Sequence, residues 1–152
     1  MSRRDKIRLD PGEIDKFLAE TKTIILCSAG PDGVPHPMPM WFTREDDGTI
    51  CMTTYGKSQK IANIRREPRV SLLIESGLEY AELRGVVFYG NAELVEDTEA
   101  VIDTLLRASG QGEQTDAAVR DAMRGQAEKR VVIRVKPDEV FSWDHGKLGG
   151  VY

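Results

Sequence analysis

The stretch "GVPHPMPMWFTREDDGTICMTTYGKSQKIANIRREP", residues 33–68, decides how the chain is read. Pro35, Pro37 and Pro39 stand at alternate positions. They forbid a helix and limit ladder donation, so "VPHPMPMWFTRE" is expected to be an edge or irregular strand. "DDG" turns the chain, and "TICMTTY" returns as a strand. A short helix then runs from about Ser58 to Glu67, where Pro68 disfavours helix in the residue before it. That helix begins unusually. A helix N-terminus carries about half a positive charge and favours acidic residues in its first turn. Here Lys57 and Lys60 stand there, beside Ser58, Thr53 and Thr54.

Working outward, "LDPGEIDKFLAE" reads as a helix. Asp10 caps it, Pro11 fits its first position and Glu13 completes a box-like start. Ile14, Phe17 and Leu18 form its apolar stripe. "TKTIILCSAG" is a strand that the "GPDG" turn joins to the proline segment. "RVSLLIE", "YAELRGVVFYG" and "NAELVE" read as three further strands, the first two joined at Gly77. "DTEAVIDTLLRA" and "TDAAVRDAMRGQAE" read as helices. "KRVVIRVKP" and "EVFSWDH" are closing strands, with "GKLGGVY" as a tail. Seven or eight strands, mostly adjacent in sequence, close best into an antiparallel barrel flanked by helices. A single domain over residues 1–152 is expected. The loop "RASGQGEQTD" fits either a lid or a plain solvated connection.

The chain has 152 residues, 40% apolar and 30% charged, which suits a soluble globular domain. No apolar run approaches the roughly 18 residues of a membrane span. "MSRRDKIRLD" has no apolar segment behind its arginines, so no signal peptide is expected. Cys27 and Cys51 are then expected to be reduced thiols of a cytoplasmic protein. The formal net charge of −4 speaks against a nucleic-acid-coating surface. His36 and His145 are the only histidines, and no metal-binding spacing accompanies them. A Rossmann fingerprint and a P-loop are both absent.

Unpaired N–H groups and a dipole end make a helix N-terminus a site for anions. Lys57 and Lys60 would add full charges there, and the hydroxyls would add donors. Two solvated surface lysines fit the same sequence. The interrupted strand offers free main-chain groups to a flat heteroaromatic ring, and one of Trp41 and Phe42 is expected in the core.

Four ordered motifs carry a family resemblance: P-x-W-F, T-x-x-x-K-S-x-K, N-x-R-R-x-P and G-x-A-x-L-V-E-D, within Lys22 to His145. They resemble the pyridoxamine 5'-phosphate oxidase-like superfamily, and within it the actinobacterial flavin/deazaflavin oxidoreductases that commonly use coenzyme F420. The resemblance implies a split antiparallel β-barrel and a homodimer with a cofactor in each intersubunit groove. It implies that Thr53, Thr54, Lys57, Ser58 and Lys60 hold the cofactor phosphate. It implies main-chain contacts to the ring from Met38, Pro39, Met40 and Trp41, a role for Arg84, and contributions from the partner by Trp143 and Lys147. Arg65, Arg66, Arg69 or Lys147 would meet the acidic tail of F420. Gln59 and Gly85 stand where the oxidase proper has arginine and glutamine, and its C-terminal end is absent here. Those departures speak against vitamin B6 oxidation. The implied activity is F420-dependent hydride transfer to a small conjugated organic substrate. An FMN oxidoreductase, or a carrier of flavin or F420, are the alternatives. His36 or His145 would be the candidate proton donor.

Overall fold

The computed structural model describes residues 2–112 and 115–149. Helix α1 (Arg3–Ile7) was not anticipated; Ser2 and Asp5 cap it reciprocally. Helix α2 (Pro11–Glu20) has the expected box. Asp10 accepts from the Glu13 N–H at 2.9 Å, and Glu13 accepts from the Asp10 N–H at 2.7 Å. Phe17 and Leu18 are its buried face.

Among the described residues eight strands follow: β1 (Thr23–Ala29), β2 (Pro35–Trp41), β3 (Thr43–Arg44), β4 (Ile50–Tyr55), β5 (Arg69–Ser76), β6 (Arg84–Val95), β7 (Arg130–Val135) and β8 (Glu139–Asp144). Helix α3 (Gln59–Arg66) follows β4, while α4 (Thr98–Ala108) and α5 (Ala117–Ala127) separate β6 from β7. The strand order is β2-β1-β5-β6-β7-β4-β3, with β8 also on β6, and every pairing is antiparallel. This is the mainly β, split antiparallel barrel the sequence implied. The simple meander is corrected: β1–β5, β4–β7 and β6–β8 join strands distant in sequence.

β2 lies at an edge, as its prolines require. Pro35, Pro37 and Pro39 alternate with His36, Met38 and Met40, which have the N–H groups the prolines lack, so an edge position without a second neighbour suits the strand. The barrel is split at β6. Arg84–Tyr89 sits between β5 and β8, whereas Ala92–Val95 pairs with β7. β6 is therefore one strand, not the two that "YGNA" suggested. Gly90 permits the crossing: a Cβ there would stand 2.7 Å from the Lys136 carbonyl. Tyr80–Glu82 is a 3₁₀ turn rather than strand, and His145–Leu148 is another, correcting the tail. Residues 150–152 of that tail, and Glu113 and Gln114 of the "RASGQGEQTD" loop, lie outside the described residues.

The main core runs through Ile24, Leu26, Met52, Ile61, Leu72 and Ile133. A smaller one beneath α4 joins Cys51, Val101, Ile102, Leu106 and Val132. The opposite face of the β2-β1-β5-β6-β8 sheet carries an apolar row, set by register: Pro39, Ile25, Leu73, Val87 and Phe141. Ile25, Leu73 and Val87 are half-buried, and Phe141 is exposed. Among the described residues no helix is long and apolar enough to cross a membrane.

Candidate functional site

The start of α3 is built by β4 and β7. Ser58 takes the N-cap position with extended backbone, yet its side chain caps nothing. Its Oγ is buried and has no hydrogen-bond partner. No acidic residue stands in the first turn. Lys60 is only 9% exposed, and its Nζ donates to Thr54 Oγ1 at 3.0 Å. Burial holds the Lys60 ammonium below the usual lysine range, and the charge of nearby Arg130 adds to the depression. Thr53 lies on the other face of β4, as the pleat requires, so only Thr54 reaches Lys60.

Arg130 was not anticipated. It begins β7 directly opposite Tyr55 on β4, and its guanidinium carbon lies 4.3 Å from the centre of the Tyr55 ring. Its Nε is buried without an acceptor. In the sequence Arg130 is merely the start of a strand, and only the β4–β7 pairing brings it here. Among the described residues no carboxylate pairs with Lys57, Lys60 or Arg130. A cleft of about 810 Å³ opens at this point, with Tyr55, Lys57, Lys129 and Arg130 in its lining and the Arg65–Glu96 ion pair on one wall. The arrangement gathers cations and donors that no carboxylate pairs with, although Glu96, held by Arg65, and Glu128 also line the cleft. It can hold a phosphate through charge-assisted hydrogen bonds.

The other expected residues form a second group. Met38 and Met40 are half-buried on β2, and Trp41 is 57% exposed beneath Lys22 Nζ, 4.0 Å away. Phe42 is the one that enters the core. Pro39 and Arg84 line a separate hollow of about 480 Å³. Arg84 donates to Ser76 Oγ at 2.8 Å and lies over the Phe17 ring, 3.8 Å from Glu20. Trp143 packs flat on Gly85, where a Cβ would stand 2.3 Å from Trp143 Cζ2. The glycine at that position is thus required by the tryptophan. Lys147 is committed within its own chain, to Glu13 Oε2 at 2.6 Å and the Arg8 carbonyl at 2.8 Å. Lys60 meets Thr54 at the α3 start, where Lys57 and Ser58 precede it, and of these residues Lys57 lines the cleft; Pro39 and Arg84 share a different hollow.

The cations expected to meet an acidic tail are engaged. Arg65 pairs with Glu96 and Arg69 with Asp138, while Arg66 donates to the Ala29 carbonyl. His36 is half-buried on β2 opposite Ser28. His145 places Nδ1 3.0 Å from the Tyr80 carbonyl. Among the described residues no group of three His, Cys, Asp or Glu side chains could hold a metal.

The family model for pyridoxamine 5'-phosphate oxidase matches residues 11–144. The chain belongs to this family. Its fold is one that binds flavins. No curated protein matches the sequence. A conserved hypothetical protein from Mycobacterium tuberculosis is 37% identical, with a TM-score of 0.85 over 100% of this chain and 95% of the other. A Bacteroides thetaiotaomicron protein described as a 5-nitroimidazole antibiotic resistance protein is 18% identical, with a TM-score of 0.72 over 90% of this chain and 84% of the other. An F420 reductase is 24% identical, with a TM-score of 0.58 over 78% of this chain and 87% of the other. The last two likenesses are of fold alone.

Proposed function

We propose that this chain is a cytoplasmic, homodimeric F420-dependent oxidoreductase acting on a small conjugated organic substrate. One observation carries the reading: Lys57, Lys60 and Arg130 stand near the start of α3 with no carboxylate among the described residues paired to any of them, beside the orphaned Ser58 Oγ. That donor set fits the phosphate of a phosphorylated ring cofactor. Lys60, Lys57 and Ser58 would hold the phosphate, with Thr54 fixing the Lys60 side chain. The β2 main chain at Met38–Trp41 would lie along the ring. When bound, the cofactor supplies hydride transfer. The protein binds it, orients it and excludes water from it. No side chain need act as a nucleophile.

The apolar row Pro39, Ile25, Leu73, Val87 and Phe141 supports the dimer, since an open apolar sheet face favours burial against a second copy. It also supports placing the β2 and Arg84 hollow at an intersubunit groove. Leu73→Glu should then run as a monomer in sedimentation; a dimer retained by that variant refutes this face.

FMN in the same cleft is the second reading. It is favoured by the engagement of Arg65, Arg66, Arg69 and Lys147 with acceptors in their own chain, because FMN has no acidic tail to satisfy. Fluorescence titration with F420 and with FMN, repeated in Lys57→Ala and Lys60→Ala, separates the two. Each substitution should weaken the true ligand by about 1–3 kcal/mol, the range for a charged hydrogen bond. Steady-state reduction of a quinone or unsaturated carbonyl by reduced F420 tests for enzyme rather than carrier. Failure of both compounds to bind overturns the proposal.

A further inference from the structure

We propose that Arg130 is a second cationic clamp on the ligand's phosphate and that Tyr55 is the residue that positions it. The inference rests on the phosphate reading above and adds two residues that the helix start alone does not indicate.

Three observations converge. Arg130 lines the cleft together with Lys57. Its Nε is buried with no acceptor, although a buried N–H left unmade costs stability. It also lies near enough to Lys60 for its charge to oppose the Lys60 charge. Two like charges held together, one of them buried, are unfavourable unless an anion joins them. Tyr55 explains how Arg130 is kept in place. The strands put the two residues directly opposite, and the guanidinium lies over the ring at 4.3 Å. Stacking occupies the guanidinium faces and leaves its in-plane N–H groups free at the edges, the arrangement that takes two oxygens of a phosphate. Gly56 helps fix the geometry, since its N–H donates to the Lys129 carbonyl at 3.0 Å and ties the turn to the start of β7.

The test compares each ring compound with its phosphate-free form: FMN against riboflavin, which differ by the phosphate alone, and F420 against the deazaflavin alcohol, which lacks the acidic tail as well. Wild type should bind the phosphorylated member of one pair more tightly. Arg130→Gln should lose about tenfold to a hundredfold of that preference, while its affinity for the phosphate-free compound stays unchanged. Arg130→Lys should recover part of it. Tyr55→Phe should keep it and Tyr55→Leu should lose it, because the ring and not the hydroxyl holds the guanidinium. Inorganic phosphate should raise the melting temperature of wild type more than that of Arg130→Gln or Tyr55→Leu, a reading independent of any ring. An undiminished preference in both Arg130→Gln and Tyr55→Leu overturns the clamp. A wild type that does not distinguish either pair overturns the phosphate reading beneath it.

Discussion

Replacing Lys60 by Met should change stability and binding in opposite directions. Lys60 is 9% exposed, its ammonium has one hydroxyl partner, and it faces the charge of Arg130. A ligand-free protein that keeps this group charged does so against desolvation, and each pKa unit of depression corresponds to about 1.4 kcal/mol. Met preserves length and removes the charge. Stabilising substitutions commonly gain about 0.5–2 kcal/mol, worth roughly 2–4 °C of melting temperature per kcal/mol at this size. Thr54 Oγ1 loses its donor in the variant, which places the gain toward the low end. The phosphorylated ligand loses a charged hydrogen bond, about 1–3 kcal/mol, or roughly 5- to 150-fold in Kd. The pH dependence has a definite sign. The folded-state pKa of Lys60 lies below the usual lysine range, so in that window the unfolded chain holds the proton more firmly. Stability of the ligand-free protein therefore rises as pH climbs through the folded-state pKa toward the unfolded one. Lys60→Met should lack that rise. Urea denaturation across alkaline pH and fluorescence titration of both proteins read all three effects. A variant that is less stable than wild type and binds the ligand equally well would refute the reasoning.

Gly85→Ala should destabilise the fold by about 1–3 kcal/mol, because the new methyl collides with the Trp143 ring. Trp143→Leu should relieve most of that in a double-mutant cycle, and additive effects would show that the collision is not the cause. Asn63 is fully buried, donates to Ser28 Oγ at 3.0 Å and accepts from Gln59 Nε2 at 2.8 Å. Asn63→Ala should cost about 1–3 kcal/mol in urea unfolding, and a neutral result would mean that Ser28 finds another partner. Arg69→Gln breaks an ion pair with Asp138 that is about half exposed, so a loss of no more than about 1 kcal/mol is expected in the same assay.

Local features were legible in the sequence and distant ones were not. The Asp10–Glu13 box, the Pro68 stop and the edge placement of the proline strand each follow from residues within a few positions of one another. The strand order does not, because β1 pairs with β5 and β4 with β7 across long intervals that no local pattern encodes. Gly90-Asn91 mimics a turn, but its glycine serves a close approach to Lys136 within one continuous strand. The same limit divides the site. Lys57, Ser58 and Lys60 are neighbours in the chain and could be read together, whereas Arg130 joins them only through strand pairing. Lys147 and Arg69 look free in sequence because their partners, Glu13 and Asp138, lie far along the chain.

The distribution of charge carries the strongest argument for an external anion. The chain has 25 acidic residues against 21 lysines and arginines, so carboxylates are not scarce. Elsewhere they are put to use: Arg44, Arg65, Arg69, Arg120, Arg124 and Arg134 each meet one. At the start of α3 the pattern reverses. A buried lysine is given a hydroxyl, an arginine is given an aromatic ring, and a buried serine Oγ is given nothing. A chain selected for stability alone would place an aspartate at the N-cap, as this one does ahead of α2, α4 and α5. An aspartate at Ser58 would also neutralise Lys60 and compete for the site meant for the ligand. Ser58→Asp should therefore raise the melting temperature while abolishing the preference for a phosphorylated ring, and a variant that gains stability and keeps that preference would move the phosphate elsewhere.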